Sequence, residues 1–218
     1  DFSMNFAAPL VVALDMGAPI VLLGGVHVGC FELIGSESIR SISDLKGRSV
    51  AIPGLRSSPH IFLSSIATSV GLDPGKDINW VFHPAAEAKQ LLAEGKIDAF
   101  LGFPPDPQEL RARRIGHVVL NSAVDRPWSQ YFCCLISANR DFVRKHPVAS
   151  RRIVRAVLKA SELCAADPTR AAEAYTNRGY TANPKFARQA ITEIPYGRWR
   201  EYNPEETVRF YALRLREA

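Results

Sequence analysis

The sequence predicts an α/β fold, and two observations predict it. Between Val50 and Gly102, short apolar strand-like runs alternate with longer runs whose apolar residues recur at helical spacing. Each helical run closes on a glycine, Gly71 or Gly95. From Asn139 onward the pattern turns almost wholly helical, punctuated by Pro147, Pro168, Pro184 and Pro204. Alternation of strand and helix is the signature of a parallel sheet flanked by helices.

Taken in order, residues 1–5 read as a strand, 7–15 as a short helix stopped near Gly17, and 20–23 as a second strand. Residues 26–34 form one apolar, β-rich stretch that breaks at Gly35-Ser36-Glu37-Ser38. The turn Ser43-Asp44-Leu45-Lys46-Gly47-Arg48 delivers a buried strand ending at Ile52, and a helix follows to Val70. After the loop at Asp73-Pro74-Gly75 come a strand over 79–82, a helix over 85–94 and a strand over 97–102. The corner Phe103-Pro104-Pro105-Asp106-Pro107 leads to a helix over 108–113, a strand over 118–121, a loop at Asp125-Arg126-Pro127-Trp128 and a strand over 131–137. The helical tail covers 141–146, 148–166, 169–178, 184–194 and 204–216.

A chain of 218 residues holds one large domain or two small ones, and 47% hydrophobic with 22% charged residues is the balance of a soluble globular protein. A net charge of +5 permits an acidic partner without demanding one. Basic residues cluster at Arg111, Arg113 and Arg114 and from Arg140 to Arg155, on amphipathic patterns that read as solvated helix faces; nucleic acid is not expected as a partner. The longest apolar run, Val21 to Val28, is interrupted by Gly24, Gly25 and His27 and is too short to span a bilayer, and no signal peptide is read. Cys30, Cys133, Cys134 and Cys164 show no CxxC or Cys/His zinc spacing, and Cys133 and Cys134 would point to opposite faces of a strand. No metal is expected. Buried free thiols are the default, with one disulfide open to an exported chain.

The stretch with most chemistry runs from Val50 to His60. A buried strand meets a tight turn at Pro53-Gly54, and a helix starts at Ser57-Ser58-Pro59-His60, with Ser58 as N-cap and Pro59 at the first helical position. A helix entered this way presents unpaired N–H groups and partial positive charge, and Arg56, Ser57, Ser58 and His60 add donors suited to an anion or polar head group. The plain alternative is a surface turn whose serines only cap a helix.

Several stretches, in this order, resemble a known family. They are Asp44-Leu45-Lys46-Gly47-Arg48-Ser49-Val50-Ala51-Ile52-Pro53-Gly54, the Ser57-Ser58-Pro59-His60 helix start, Gly95-Lys96-Ile97-Asp98-Ala99-Phe100, and Ala138-Asn139-Arg140-Asp141-Phe142-Val143-Arg144-Lys145-His146-Pro147. Together they resemble the nitrate/sulfonate/taurine class of ABC-transporter substrate-binding proteins, which is related to the thiamine-pyrimidine synthases. The resemblance implies a two-lobed α/β fold of the type II periplasmic-binding-protein kind, with two crossover strands, a helical C-terminal region and ligand in the cleft between lobes. Lobe one would take residues 1–33 and 135–218 and lobe two 34–134, with crossovers near 31–35 and 130–135. It further implies a periplasmic or other extracytoplasmic receptor, without cofactor or catalysis, that delivers a small anionic organic ligand such as a sulfonate to an ABC permease. Contact with the membrane would run through that permease or an N-terminal anchor outside this chain.

Within this frame Asn5, Phe6 and His27 face the ligand from lobe one, along with the Gly24–Gly25 segment. Arg56, Ser57, Ser58, His60, the Phe103-Pro104 corner and Trp128 face it from lobe two. Asn5, Ser57 and Ser58 would fix a polar group, while Phe6, Phe103 and Trp128 would flank a carbon portion. Core packing is the alternative for Phe6 and Phe103, and a hydrogen-bonded structural imidazole for His27 and His60. Trp128 lies in a loop, where a large aromatic is less readily explained as core. The opening Asp1-Phe2-Ser3-Met4 also resembles the strand at Asp98-Ala99-Phe100-Leu101. Two similar lobes would leave the first lacking its opening strand–helix–strand–helix, on the order of 50 residues.

The alternatives are an enzyme of the pyrimidine-synthase type, a hydrolase using Ser57 or Ser58 with His60, and the effector-sensing domain of a regulator. No acid follows within reach to orient His60, no G-x-S-x-G elbow is present, and the long helical tail from Asn139 favours the receptor over the sensing domain of a regulator. The cysteine-rich stretch of the pyrimidine synthases is missing, and the family's aromatic-Asp-Pro turn is replaced by Phe103-Pro104-Pro105-Asp106-Pro107.

Overall fold

A computed structural model describes residues 1–181 and 183–218. In chain order its strands are β1 (Phe2–Phe6), β2 (Ile20–His27), β3 (Glu32–Gly35), β4 (Arg48–Ile52), β5 (Ile78–Phe82), β6 (Ala99–Gly102), β7 (His117–Asn121) and β8 (Cys134–Asn139). The helices are α1 (Ala7–Asp15), α2 (Ser58–Ser69), α3 (Ala85–Ala93), α4 (Asp106–Ala112), α5 (Arg140–Lys145), α6 (Pro147–Ala166), α7 (Pro168–Asn177), α8 (Pro184–Glu193) and α9 (Pro204–Glu217), with short 3-10 turns at Ile42–Leu45, Trp128–Gln130 and Tyr196–Glu201. The chain divides into two compact units, Asp1–Gly29 with Arg126–Ala212 and Cys30–Asp125 with Leu213–Ala218. The sequence places those divisions at 33/34 and 134/135.

The second unit is built on a five-stranded sheet in the order β5-β4-β6-β3-β7. β5, β4 and β6 are parallel, whereas β3 runs against both β6 and β7. The expectation of a parallel sheet therefore holds for three strands and fails for β3. The start of β3, Glu32, pairs with Gly102 at the end of β6, so β3 carries the chain inward from the edge where β6 ends. The path from β4 out to β5 and back across to β6 makes two crossovers in opposite directions. Right-handed crossovers then put α2 and α3 on opposite faces. The core agrees: Ala51, Phe100 and Ile34 pack with Ala88 and Leu92 of α3 and Leu110 of α4. Their strand neighbours Val50 and Ile52 are fully buried, and alternation turns them to the other face, that of α2.

The first unit carries a three-stranded sheet, β1-β8-β2, with β8 antiparallel to both neighbours. That is the pattern of β6-β3-β7 in the second unit, so the likeness between residues 1–4 and 98–101 extends to strand pairing. Gly25 is required by close approach, since a Cβ there would fall inside the Phe132 ring. Thr207 of α9, fully buried, accepts the Phe132 amide N–H on Oγ1 at 3.1 Å and donates to the Asn203 carbonyl at 3.0 Å.

Two further expectations need correction. The apolar stretch 26–34 is not one strand: β2 runs on to His27, and β3 begins at Glu32 in a different sheet. Trp128 is only 4% exposed, and its ring meets Phe210 of α9 edge-on at 5.3 Å. A loop position did not keep this indole out of the core, because its apolar partner comes from the far end of the chain.

Candidate functional site

The carboxyl ends of β4 and β6 are adjacent, with Val50 opposite Ala99 and Ala51 opposite Phe100. The chain leaves β4 toward α2 on one face and leaves β6 toward α4 on the other. In open α/β sheets such a switch point is the usual ligand position. Its two banks are the Gly54–His60 turn and the Phe103-Pro104 corner.

The cap is Ser57, not Ser58. The Ser57 Oγ accepts from the His60 N–H at 3.4 Å, its carbonyl accepts from Ile61 N–H at 2.9 Å, and the helix starts at Ser58. Either serine can cap and proline is tolerated throughout the first turn, so the frame was one residue off. The shift frees a donor. Pro59 has no N–H and the next two amides turn back to Ser57, so the Ser58 amide is the first-turn donor that no group accepts among the described residues. The Ser57 and Ser58 hydroxyls, both half-buried, can donate beside it.

Arg56 is exposed and holds a left-handed backbone, φ 62°. Its amide N–H donates to Nδ1 of His60 at 3.2 Å, and the His60 ring lies edge-on to Trp80 at 4.9 Å. Burial lowers the His60 pKa from its ordinary 6.5. His60 is thus a neutral acceptor that braces the turn, not the extra donor the sequence suggested.

On the other bank, Phe103 is 41% exposed and Pro104 half-buried. Phe31 ties the banks together: its ring stacks on Phe62 of α2 at 4.7 Å and meets Phe103 edge-on at 6.4 Å. The Ser122 hydroxyl holds this segment by accepting from the amides of Cys30 (3.1 Å) and Phe31 (2.9 Å). Sequence reasoning missed Phe31, Trp80 and Ser122. Their partners lie far along the chain, and no local pattern marks them. It also missed an apolar rim, in which Phe82 at the end of β5 is 52% exposed and Leu55 beyond β4 is 62% exposed.

The first-unit candidates form a separate group. Phe6 and His27 are both register partners of Cys134, one on each side of β8. Asn5 is exposed, and its Oδ1 accepts from the Phe6 N–H at 2.8 Å. His27 is 3% exposed, with Nδ1 3.2 Å from the Val28 carbonyl and the Tyr196 ring edge-on at 4.8 Å, the surroundings of a structural imidazole. The first unit therefore gathers Asn5, Phe6 and His27 near one sheet end, and Trp128 is packed elsewhere against α9. All four cysteines are free thiols, and burial raises the pKa of Cys164.

Residues 33–177 match the model of the NMT1-like family. The bicarbonate-binding protein CmpA of Synechococcus elongatus is 28% identical over 125 residues, covering 56% of this chain and 27% of that protein. The chain thus spans little more than a quarter of this curated relative. Among solved structures, the alkanesulfonate-binding protein SsuA from Xanthomonas axonopodis pv. citri, bound to MOPS, has a TM-score of 0.71 at 20% identity, over 90% of this chain and 67% of that one. The periplasmic aliphatic sulphonate binding protein SsuA from Escherichia coli has a TM-score of 0.73 at 19% identity, over 90% and 63%. These likenesses establish the fold as that of periplasmic binding proteins.

Proposed function

Since this chain belongs to the NMT1-like family, we propose that it serves an extracytoplasmic solute-binding protein that delivers a small organic anion, sulfonate-like, to an ABC permease. The observation that carries the reading is the switch point between β4 and β6. There the Ser58 amide, two half-buried serine hydroxyls and the start of a 12-residue helix follow β4, and the exposed Phe103 follows the neighbouring β6. Amides at a helix start suit an anionic head. The Phe103, Leu55 and Phe82 rim suits a carbon body better than a bare inorganic ion. Arg56 adds the charge at the entrance, and Asn5 and Phe6 are the proposed contacts of the first unit.

Binding without chemistry is supported by how the local groups are spent. Ser57 accepts from the His60 amide, and the His60 ring accepts from the Arg56 amide, so serine and imidazole do not form a nucleophile–base pair.

Thermal-shift screening against alkylsulfonates, arylsulfonates, nitrate, bicarbonate and pyrimidines tests the reading. A sulfonate at about a hundred times its Kd stabilises by about 2.7 kcal/mol, a shift of roughly 5–10 °C in a chain of this size. Arg56→Ala with Ser58→Ala, which removes a charge and a hydroxyl but keeps the Ser58 amide, reduces that shift. A shift undiminished by the double substitution, or turnover of any of these compounds, overturns the proposal.

A further inference from the structure

The basic run from Arg140 to Lys159 has no role in the site above. It holds seven Lys and Arg against a single carboxylate, Asp141, so twenty residues carry more positive charge than the chain's net +5. It folds as α5 and α6, and all seven cations are exposed. Arg144 pairs with Asp141 at 3.3 Å. Arg140, Lys145, Arg151, Arg152, Arg155 and Lys159 meet no carboxylate among the described residues. A solvated helix face ordinarily interleaves both signs; this one does not.

The cations also border apolar surface. Arg151, Arg155 and Lys159 follow one another at i, i+4 and i+8 along a groove of about 690 Å³ whose apolar lining includes Val154, Leu158 and Trp199. A neighbouring hollow of about 550 Å³ is lined by Lys145, Arg152 and Val148, the last 60% exposed. Arg200 lies 4.0 Å over the Trp199 ring and pairs with Glu162 at the groove's edge. Trp199 Nε1–H is buried and accepted by no group in the chain among the described residues.

Unpaired cations in rows beside an exposed valine and a half-buried apolar groove are the composition of an interfacial helix. From this we infer that the α5–α6 face docks on an anionic phospholipid surface, the cations on the headgroups and the exposed Val148 toward the acyl boundary. Such docking would keep a receptor close to the membrane that holds its permease. The inference rests on the charge and shape of this face and does not depend on which ligand is carried.

The test is co-sedimentation of the whole chain with vesicles of phosphatidylcholine alone or mixed with phosphatidylglycerol. Binding to the anionic vesicles only, lost in about 0.5 M salt, is expected. Arg151→Glu, Arg155→Glu and Lys159→Glu together reduce that affinity by at least a hundredfold, since each cation at a charged surface is worth about fivefold. Arg178→Glu, Arg188→Glu and Arg209→Glu, with the same change in net charge on α8, α9 and just past α7, leave most of it. Circular dichroism and sulfonate thermal shifts of both variants show that fold and ligand site are intact, so failure here is distinct from failure of the receptor reading. No binding to anionic vesicles, equal losses in the two variants, or binding of poly-glutamate but not vesicles overturns the inference.

Discussion

Arg56, Ser57, Ser58 and His60 lie within five consecutive positions and do different work. Ser57→Ala removes a helix cap and is expected to cost about 1 kcal/mol in urea denaturation. Ser58→Ala stays within about 0.5 kcal/mol and weakens sulfonate binding instead. Arg56 strains its own backbone: a left-handed side-chain-bearing residue costs roughly 1–2 kcal/mol, and glycine returns part of that to unfolded-chain entropy. Arg56→Gly is therefore expected to stabilise by about 0.5 kcal/mol while reducing the ligand-induced thermal shift; no loss of shift would mark the guanidinium as idle. His60 sets a pH dependence. Its folded pKa lies below the ordinary 6.5, so its contribution is full above that value and fades as pH falls through it. Protonation also converts Nδ1 from acceptor to donor against the Arg56 N–H. Denaturation at about pH 7 and about pH 5 should show a larger fall for the natural chain than for His60→Asn.

At the scale of elements, α9 shows how a distant segment fixes a strand. Thr207→Val leaves the buried Phe132 amide without an acceptor, and the expected cost is about 1–3 kcal/mol, with faster hydrogen exchange at Phe132. Such long-range ties were what the sequence did not reveal. The β4–α2–β5–α3–β6 succession was legible because its signals are local: apolar period, Ser57-Ser58-Pro59, and Gly71 at φ 87° and Gly95 at φ 68° just past their helices. The direction of β3 was not legible, since four buried residues read alike in either sense. Trp128 was misread because its partner Phe210 belongs to the last helix. The anchor at the helix start could be named to within one residue, whereas the spent state of His60 depends on Trp80 and a backbone turn that no spacing rule encodes.

At the scale of the molecule, the second unit is nearly one uninterrupted stretch, Cys30–Asp125, with its own sheet and a core between α3, α4 and the strands. Expressed alone, residues 30–125 should unfold in one cooperative urea transition; a broad, baseline-like melt would show that Leu213–Ala218 or the first unit is needed. Arg126–Ala212 returns to the first unit and supplies β8, the middle strand of its sheet. Strand β8 pairs with β1 on one side and β2 on the other, yet it arrives more than a hundred residues after β2 ends. The sheet can therefore close only after the chain has passed through the second unit and come back, so the amides of β1, β2 and β8 should gain hydrogen-exchange protection together during refolding.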